Sequence, residues 1–516
     1  MYARFNPSLL LKEINTNILD KYLGFNIYEI DDYISNRANT LKYVFLENEL
    51  ENIQINIDQA NLYNLELQRK NKINKEKNEV NVYSRATLNI NDKNYKIKLR
   101  LKGDRVIHWY DKENSSYKID VRDGDTIWGM EEFSVQKPIT RNYIYEFIFH
   151  KLLSYSNLIS LKYFFINLSM NDTAQGIYAV EEGFSKELIE RNKKRNGPIF
   201  GLEEDKGTVF PFVRHDLYSS QYWISNYPDL TSTALSKLNL LKDNEIQLNE
   251  IFDLEKWATF FAIIDLTSSV HGSISKSVKL FYNPVTSKFE PIGFDAHYQP
   301  GLFENFLIID FLDLNNKNCN YICYDREWYF KFLKNNDGSL NYQFIDLYLN
   351  KLKEVSSNVY IDGFADKYSE EIDYYNSQLL SEKSKTDKMF YKGLGDYIFD
   401  KNYINKKSNY INSRLKKINL KENLETNLNN GKIIFNNSNK FFFKKINEEC
   451  GEGDNFYYLM NNIILDYKKN CNYTIGKDKI LLQKNIYLSK DKNFILDFED
   501  FAKFYNFDDY EDNYIL

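Results

Sequence analysis

Cysteine, proline and glycine are scarce in this sequence. The chain of 516 residues contains 4 cysteines, 8 prolines and 20 glycines. So few and such scattered cysteines argue against a disulfide framework in a protein of this length. Cys319 and Cys323 lie close together, but no second pair of ligands follows nearby. Their spacing alone therefore does not predict a zinc site.

Long apolar runs and basic tracts are also lacking. The longest apolar segment, residues 257–266, is interrupted by Thr259 and Asp265 and is far shorter than the ~18 to 20 residues that span a bilayer. The N-terminal residues do not show the basic, apolar and small-residue order of a signal peptide. The 67 basic and 73 acidic residues give a net charge of −6, without a basic stretch that would follow a phosphate backbone. We therefore expect no membrane span, no nucleic-acid partner and a cytoplasmic location.

The chain does contain ample material for hydrophobic cores. Hydrophobic residues make up 43% and aromatic residues 16%, and the length predicts two or three domains. We expect a helical arm and linker over residues 1–77, a sheet with one helix over 78–182, a mainly helical part over 183–425 and a β-rich appendage over 426–516. The oligomeric state remains open at this point.

Periodicity predicts an antiparallel sheet in the second of these segments. Residues 7–58 are helix-like, and residues 66–80 are polar enough for an exposed linker. Alternating apolar and polar residues then predict strands, and a three-to-four-residue apolar repeat predicts a helix that carries Glu146 and His150 one turn apart. These elements are strands 82–90, 95–101, 117–121, 132–135, 163–168 and 176–180, with the helix over 141–153.

A second hairpin is predicted in the C-terminal half. Asp253 is a candidate N-cap for a helix over 254–266 that is apolar on nearly all sides and hence buried. The helix leads to His271 and then to two strands, 278–282 and 289–294, after which Asp295 and His297 follow. An acidic residue at a strand end, between two histidines, suits a metal or a polar substrate. The alternatives are that Asp295 caps the strand end and that His297 belongs to the core.

The order of these parts is typical of a protein-kinase-like phosphotransferase. In such enzymes a lysine on the third strand, paired with a helix glutamate, holds the α and β phosphates of ATP, and an aspartate after a hairpin holds Mg²⁺. Lys118, Glu146 and Asp295 occupy those positions. Neither a G-x-G-x-x-G loop nor an H-R-D motif is present. The alternatives are that Lys118 is a surface lysine and that Glu146 forms a helix-face pair with His150.

Several blocks of sequence carry a family resemblance. They are Arg100 to Asp104 (RLKGD), Trp128 to Gln136 (WGMEEFSVQ) with Pro138 and Arg141, Gly176 to Glu182 (GIYAVEE), Leu188 to Asn192 (LIERN) with Gly197 to Ile199 (GPI), and Phe281 to Thr286 (FYNPVT) with Glu290 to Asp295 (EPIGFD). Over roughly residues 20 to 300, this order resembles the spore-coat protein H (CotH) kinase family, in a bacterial subgroup with an extended N-terminal arm.

The resemblance implies an atypical two-lobed kinase that binds ATP with Mg²⁺ and phosphorylates proteins, among them spore-coat proteins in the best-known members. It implies that Lys118 contacts phosphate, that Glu181 and Glu182 lie near the adenine, and that Asp295 binds the metal. Lys102 precedes Gly103 in a turn that could approach an anion through its backbone. The alternatives are a plain strand-end turn there, and a helix cap at Glu181 and Glu182.

Two positions depart from the family pattern. Ser277 stands where members often carry an asparagine that is the second metal ligand, and Gly272 stands where an acidic base would be sought. His271 is the nearest candidate base, because a neutral imidazole accepts a hydroxyl proton near pH 7.

We therefore expect an α+β, kinase-like two-lobed fold, with an antiparallel sheet N-lobe, a mainly helical C-lobe and a small β-rich C-terminal appendage. The expected function is phosphorylation of a protein or glycan acceptor with ATP and Mg. The alternative is a degenerate nucleotide-binding scaffold in envelope or surface assembly.

Overall fold

The computed structural model describes most of the chain between residues 49 and 418. The described ranges are 49–74, 82–103, 105–109, 115–203, 214–312, 317–338, 340–386, 399 and 401–418, together with the backbone of short strands between 432 and 497. The chain divides into two compact units. Unit 1 comprises Met1–Lys151, Leu161–Leu188 and Ala365–Lys401, and unit 2 comprises Leu152–Ser160, Ile189–Phe364 and Asn402–Leu516. Both contain helices and strands, which confirms the α+β class.

A closed β-barrel forms the core of unit 1. In chain order the elements are β1 (Asn52–Asn56), α1 (Gln59–Asn74), β2 (Ser84–Ile90), β3 (Lys93–Leu101), β4 (Tyr117–Val121), β5 (Glu132–Gln136), α2 (Tyr145–Tyr155), β6 (Tyr163–Met170) and β7 (Thr173–Glu182). The strand order is β1-β2-β3-β4-β5-β7-β6, and a parallel pairing of β1 with β6 closes the ring. Alternate residues, such as Ile97 and Leu99, fill the interior.

The closed barrel, with its one parallel pairing, corrects the expectation of a kinase-like antiparallel sheet N-lobe. The closing strand, β1, lies within residues 7–58, where we expected helix; residues 1–48 of that range lie outside the described part of the chain. In β1 only Ile53 and Ile55 face the core, and two apolar residues are too short a signal to separate a strand from a helical turn. Pairing with both β2 and β6 gives this short strand its stability.

Helix α1 corrects the expectation of an exposed linker over residues 66–80 as far as Asn74, and residues 75–80 of that range lie outside the described part of the chain. The helix reaches Asn74 because Leu65 and Arg69, one turn apart, are both buried. The Arg69 guanidinium donates hydrogen bonds to the carbonyl of Trp109 at 2.7 Å and to the Ser115 hydroxyl at 2.6 Å. The sequence could not predict these contacts, because a buried arginine that fixes a helix and an exposed arginine look alike in a polar stretch of sequence.

Unit 2 is built around a four-stranded antiparallel sheet of order β11-β10-β8-β9. Its strands are β8 (Ile199–Glu203), β9 (Arg214–Leu217), β10 (Lys279–Asn283) and β11 (Lys288–Ile292). The helices that follow β7 in the chain are α3 (Lys186–Arg191), α4 (Ser220–Asn226), α5 (Pro228–Lys242), α6 (Leu248–Ile251), α7 (Leu254–Leu266), α8 (Pro300–Phe303), α9 (Arg326–Leu333), α10 (Tyr342–Val355), α11 (Asn358–Thr386) and α12 (Lys401–Ile418). The predicted hairpin is present as β10 and β11, with Lys279 opposite Ile292.

Helix α7 is the buried central helix that the sequence predicts. Asp253 caps it by accepting a hydrogen bond from the Lys256 amide at 3.3 Å. The Trp257 indole donates to the carbonyl of Phe289 at 3.1 Å, which fixes the helix against β11. Among the described residues, no helix combines the length and the apolar character needed to cross a bilayer.

Two small sheets occupy the described backbone beyond residue 431, where we expect the β-rich appendage. One has the order β12-β15-β18-β19 and the other β14-β13-β17-β16. The strands are β12 (Lys432–Ile434), β13 (Phe441–Asn447), β14 (Gly451–Leu459), β15 (Ile463–Tyr467), β16 (Ile475–Gly476), β17 (Lys479–Leu482), β18 (Ile486–Lys490) and β19 (Leu496–Asp497).

Candidate functional site

The end of the β10–β11 hairpin places Asp295 between two histidines. Its Oδ1 lies 2.8 Å from Nε2 of His297, and its Oδ2 lies 3.8 Å from Nδ1 of His271. Asp295 and His297 both adopt left-handed backbone conformations, with φ of 59° and 48°. Such conformations cost free energy in residues other than glycine and persist where the surroundings enforce them. The backbone here is therefore held in an uncommon shape that keeps the two side chains together.

His271 approaches Asp295 from the segment that follows the C-terminus of α7. It lies in a 3₁₀ turn, Val270–Ser273, and its Nδ1 is 2.8 Å from the carbonyl oxygen of Asp295. Its ring stands edge-on to that of His297, with centroids 4.7 Å apart. We call His271, Asp295 and His297 the hairpin cluster. In the described part of the chain it is the group of three acidic, histidine or cysteine residues whose potential ligand atoms all lie within 4.8 Å of one another.

Gly272 lets the turn and the hairpin end approach each other closely. A Cβ at this position would lie 2.9 Å from the Cα of Ala296, which is closer than real Cβ atoms come to backbone. Glycine is therefore required here for contact rather than chemistry. In this protein, residue 272 therefore permits a close backbone contact and supplies no acidic base.

Ser277 supports the cluster through His271. Its hydroxyl lies 3.4 Å from Nδ1 of His271, and the residue is buried. The structure thus places Ser277, the predicted second metal ligand, directly beside the cluster. At this distance its hydroxyl biases the orientation of the His271 imidazole ring.

Lys279 is a buried cation near the cluster that sequence reasoning missed. Its ammonium donates a hydrogen bond to the carbonyl of Lys276 at 2.7 Å and lies 5.4 Å from the centroid of the Phe294 ring. Burial lowers the pKa of Lys279 to about 8, against the opposing charges of Asp295 and Asp216. The available signal was a lysine inside the apolar strand Val278 to Tyr282, where a solvent-facing lysine is not expected.

A disulfide-closed loop presents a tyrosine to the cluster. Cys319 and Cys323 are joined by a disulfide within the 3₁₀ segment Lys317–Asp325. Between them, Tyr321 donates its hydroxyl hydrogen to Gln299 at 2.7 Å, and its ring centroid lies 6.2 Å from that of His271. This single local bridge is not a framework, but it restricts the segment that carries Tyr321.

In unit 1 the structure brings Lys102 and Glu181 together. The Lys102 ammonium lies 2.9 and 2.8 Å from the two carboxylate oxygens of Glu181. Gln136 donates to the same carboxylate at 2.8 Å, and Nε of Arg141 is 3.8 Å away. Glu181 is almost fully buried. Its negative charge is therefore balanced by Lys102, directly after β3, and by Arg141, while Gln136 on β5 adds a hydrogen bond.

Lys118 and Glu146 do not form the ion pair that we predicted. Lys118 pairs with Glu132 at 2.8 Å, because these residues lie on the adjacent strands β4 and β5. Glu146 lies 3.7 Å from Nε2 of His150, one turn along α2. Glu182 accepts a hydrogen bond from the amide of Lys162 at 2.7 Å. The Glu146 contact matches the alternative of a helix-face pair with His150, whereas Lys118 is a partly buried member of an ion pair rather than a free surface lysine.

No family model matches this chain, and no curated protein matches it either. What the site can do chemically therefore rests on its donor atoms, their spacing and their burial.

Proposed function

We propose that this protein is an ATP-dependent phosphotransferase of the CotH-like, atypical kinase type, which uses Mg²⁺ and phosphorylates a protein or glycan acceptor. The observation that carries the proposal is the hairpin cluster, in which a carboxylate at the end of a buried hairpin lies against two imidazoles. The order of elements along the chain also supports the kinase assignment, because in protein kinases too an aspartate follows a hairpin and binds the metal. When bound, a divalent ion supplies positive charge against the phosphate oxygens of the nucleotide.

Asp295 is the proposed metal ligand, and Lys279 is proposed to add a fixed positive charge in the same unit. A buried ammonium is effective against phosphate because little water competes for it. This role was expected for Lys118, whose ammonium pairs with Glu132. In unit 1, Lys102 is paired with a buried glutamate, as the phosphate-binding lysine of kinases is, although Glu181 lies on strand β7 and not on a helix. We therefore propose Lys102, ahead of Lys118, as the phosphate contact of that unit.

One ring nitrogen of His271 can act as a base or as a metal ligand. Where Nδ1–H donates to the carbonyl of Asp295, Nε2 keeps its lone pair. That lone pair can accept the proton of an acceptor hydroxyl or bind an ion. The kinase proposal needs only that the hairpin cluster binds the metal–nucleotide complex.

The proposal is tested by thermal unfolding with Mg-ATP and by transfer of radiolabel from γ-labelled ATP to protein. We expect Mg-ATP at 100 times its Kd to raise the Tm of the wild type by roughly 5 °C, and Asp295→Asn to remove the shift and the transfer. Glu255→Gln, which changes a 70% exposed carboxylate of unit 2, is the matched control and should behave as the wild type. An unshifted wild type, or an equally shifted Asp295→Asn, contradicts the site.

A shift without transfer would contradict catalysis and favour the nucleotide-binding scaffold. The hairpin cluster would then bind a metal–nucleotide complex in an assembly role. Supplying casein, a cell-envelope extract and a polysaccharide fraction as separate acceptors distinguishes a missing acceptor from missing catalysis, since autophosphorylation is scored in the same gel.

A further inference from the structure

The donor atoms of the hairpin cluster suit a first-row transition ion better than Mg²⁺. We propose that His271, Asp295 and His297 form a mononuclear site for such an ion, of the Mn²⁺ to Zn²⁺ series. Mg²⁺ takes oxygen ligands and retains several waters, whereas imidazole nitrogens favour transition ions. The inference deepens the proposed function and rests on it for the use of the ion, whereas ion binding itself is measured without nucleotide.

The spacing of the three side chains is compatible with one ion. Bonds of about 2.0 to 2.2 Å to nitrogen and oxygen keep the ligands of a single ion roughly 3 to 4 Å apart. In the hairpin cluster the Asp295 carboxylate and the His297 Nε2 are already 2.8 Å apart, and the full set lies within 4.8 Å. Small rotations of the side chains therefore bring all three donors to bonding distance.

The surroundings hold the ligands as a built metal site would. The His271 imidazole contacts the carbonyl of Asp295 at 2.8 Å and the hydroxyl of Ser277 at 3.4 Å. These contacts fix the ring, as second-sphere contacts do for metal-binding histidines, and they keep Nδ1 3.8 Å from the Asp295 carboxylate. The left-handed backbone at Asp295 and His297, and the glycine-dependent contact at residue 272, add rigidity.

Three donors leave coordination positions for other groups. A closed structural zinc site has four protein ligands, whereas three ligands leave room for water or a substrate oxygen. The hairpin cluster belongs to the second type. An oxygen of a phosphate is a suitable additional ligand, which links the ion to the proposed nucleotide.

The test is isothermal titration of the chelator-treated full chain with ZnCl₂, MnCl₂ or MgCl₂, each without nucleotide. We expect one Zn²⁺ per chain with a Kd in the micromolar range or below, and Mg²⁺ at least 100-fold weaker. His297→Gln should weaken Zn²⁺ binding at least tenfold. His108→Gln is the matched control, because His108 contacts Ser116 in unit 1 and should leave Zn²⁺ binding unchanged.

Co²⁺ provides an independent readout of the ligands. Its visible absorption in the wild type should indicate nitrogen and oxygen ligands, and thiolate charge-transfer bands would point to cysteines instead. Asp295→Asn is the second variant if His297→Gln fails to fold, and it should also weaken binding at least tenfold. Equal affinity for Mg²⁺ and Zn²⁺, thiolate bands, or unchanged affinity in both variants would overturn the inference.

The outcomes separate this inference from the kinase proposal. Zn²⁺ binding that depends on His297, without nucleotide binding or transfer, keeps the metal site and removes the kinase. Phosphoryl transfer with Mg²⁺ alone, without Zn²⁺ or Mn²⁺ binding, keeps the kinase and removes the transition-ion site.

Discussion

Glu181 in unit 1 and Asp295 in unit 2 are both carboxylates at the end of a strand, but their surroundings differ. Glu181 is 2% exposed and accepts from Lys102 and Gln136, so a permanent cation balances its charge. Asp295 is 21% exposed and faces two histidines, whose charge depends on protonation. Glu181 is held by a lysine at hydrogen-bond distance, which stabilises the fold, whereas the partly exposed Asp295 lies against two imidazoles with the charge of Lys279 nearby.

Removing each carboxylate charge gives the largest expected contrast. Glu181→Gln leaves the Lys102 ammonium without its counter-charge in a largely buried setting, which should lower the free energy of unfolding by about 3 to 5 kcal/mol. Asp295→Asn should cost less than Glu181→Gln, because the Asp295 side chain is 21% exposed and water reaches its carboxylate. Urea unfolding of both variants measures the difference. Equal losses would show that Asp295 is as structural as Glu181.

A third carboxylate, Asp265 on α7, differs from both because its charge changes with pH in the folded protein. Burial raises its pKa to about 7, although the Lys407 ammonium and the Tyr348 hydroxyl oppose the shift. The folded protein therefore prefers protonated Asp265, and this contribution to stability is complete below pH ~4 and lost as the pH rises towards about 7. Relative to Asp265→Asn, the wild type should lose stability across that range. Urea midpoints at a series of pH values test this, and parallel curves would contradict it.

Adding a side chain at Gly272 should disturb the hairpin cluster and lower the free energy of unfolding by less than Glu181→Gln does. Gly272→Ala places a methyl group 2.9 Å from the Cα of Ala296, and overpacking of this kind costs about 1 to 3 kcal/mol. The same variant should weaken Zn²⁺ binding, because His271 is displaced from Asp295. Gly301→Ala is the control, since no atom lies within 4 Å of the added methyl group. Similar melting temperatures for the two variants would show that the contact at residue 272 relaxes freely.

The smallest expected effect concerns Lys118. Its pair with Glu132 is about one quarter exposed on both sides, and partly exposed ion pairs contribute at most about 1 kcal/mol. Lys118→Met should therefore change stability little, and it should weaken Mg-ATP binding less than Lys102→Met does. Fluorescent-nucleotide titration of the two variants decides between the lysines. A larger loss in Lys118→Met would restore the role first predicted for it.

The strands, the central helix and the hairpin were predictable because their signals are local. Alternation over β2 to β7, the all-round apolar character of α7 and the turn between β10 and β11 each span a few neighbouring residues. The hairpin also implied that Asp295 follows a strand end in the neighbourhood of His271. The prediction from sequence thus brought these two residues close without giving their distances.

The remaining features depend on contacts between distant parts of the chain. β1 is a strand because β2 and β6 pair with it, and Gly272 is needed because Ala296 packs against it. The burial of Lys279 and the pairing of Lys118 with Glu132 likewise depend on which strands become neighbours. Composition and periodicity carry no information on such partners.

Closure of the barrel by β1 has a kinetic consequence. Asn52 pairs with Asn167 and Ile55 with Met170, so closure of the ring joins segments that are far apart in the chain. Contacts of this kind slow folding, since loop-closure entropy is lost before the pairing is gained. A chain begun after residue 57 would expose the edges of β2 and β6, and unpaired edges recruit strands from other molecules. In the closed barrel, the five residues of β1 thus cover two strand edges that would otherwise be open to self-association.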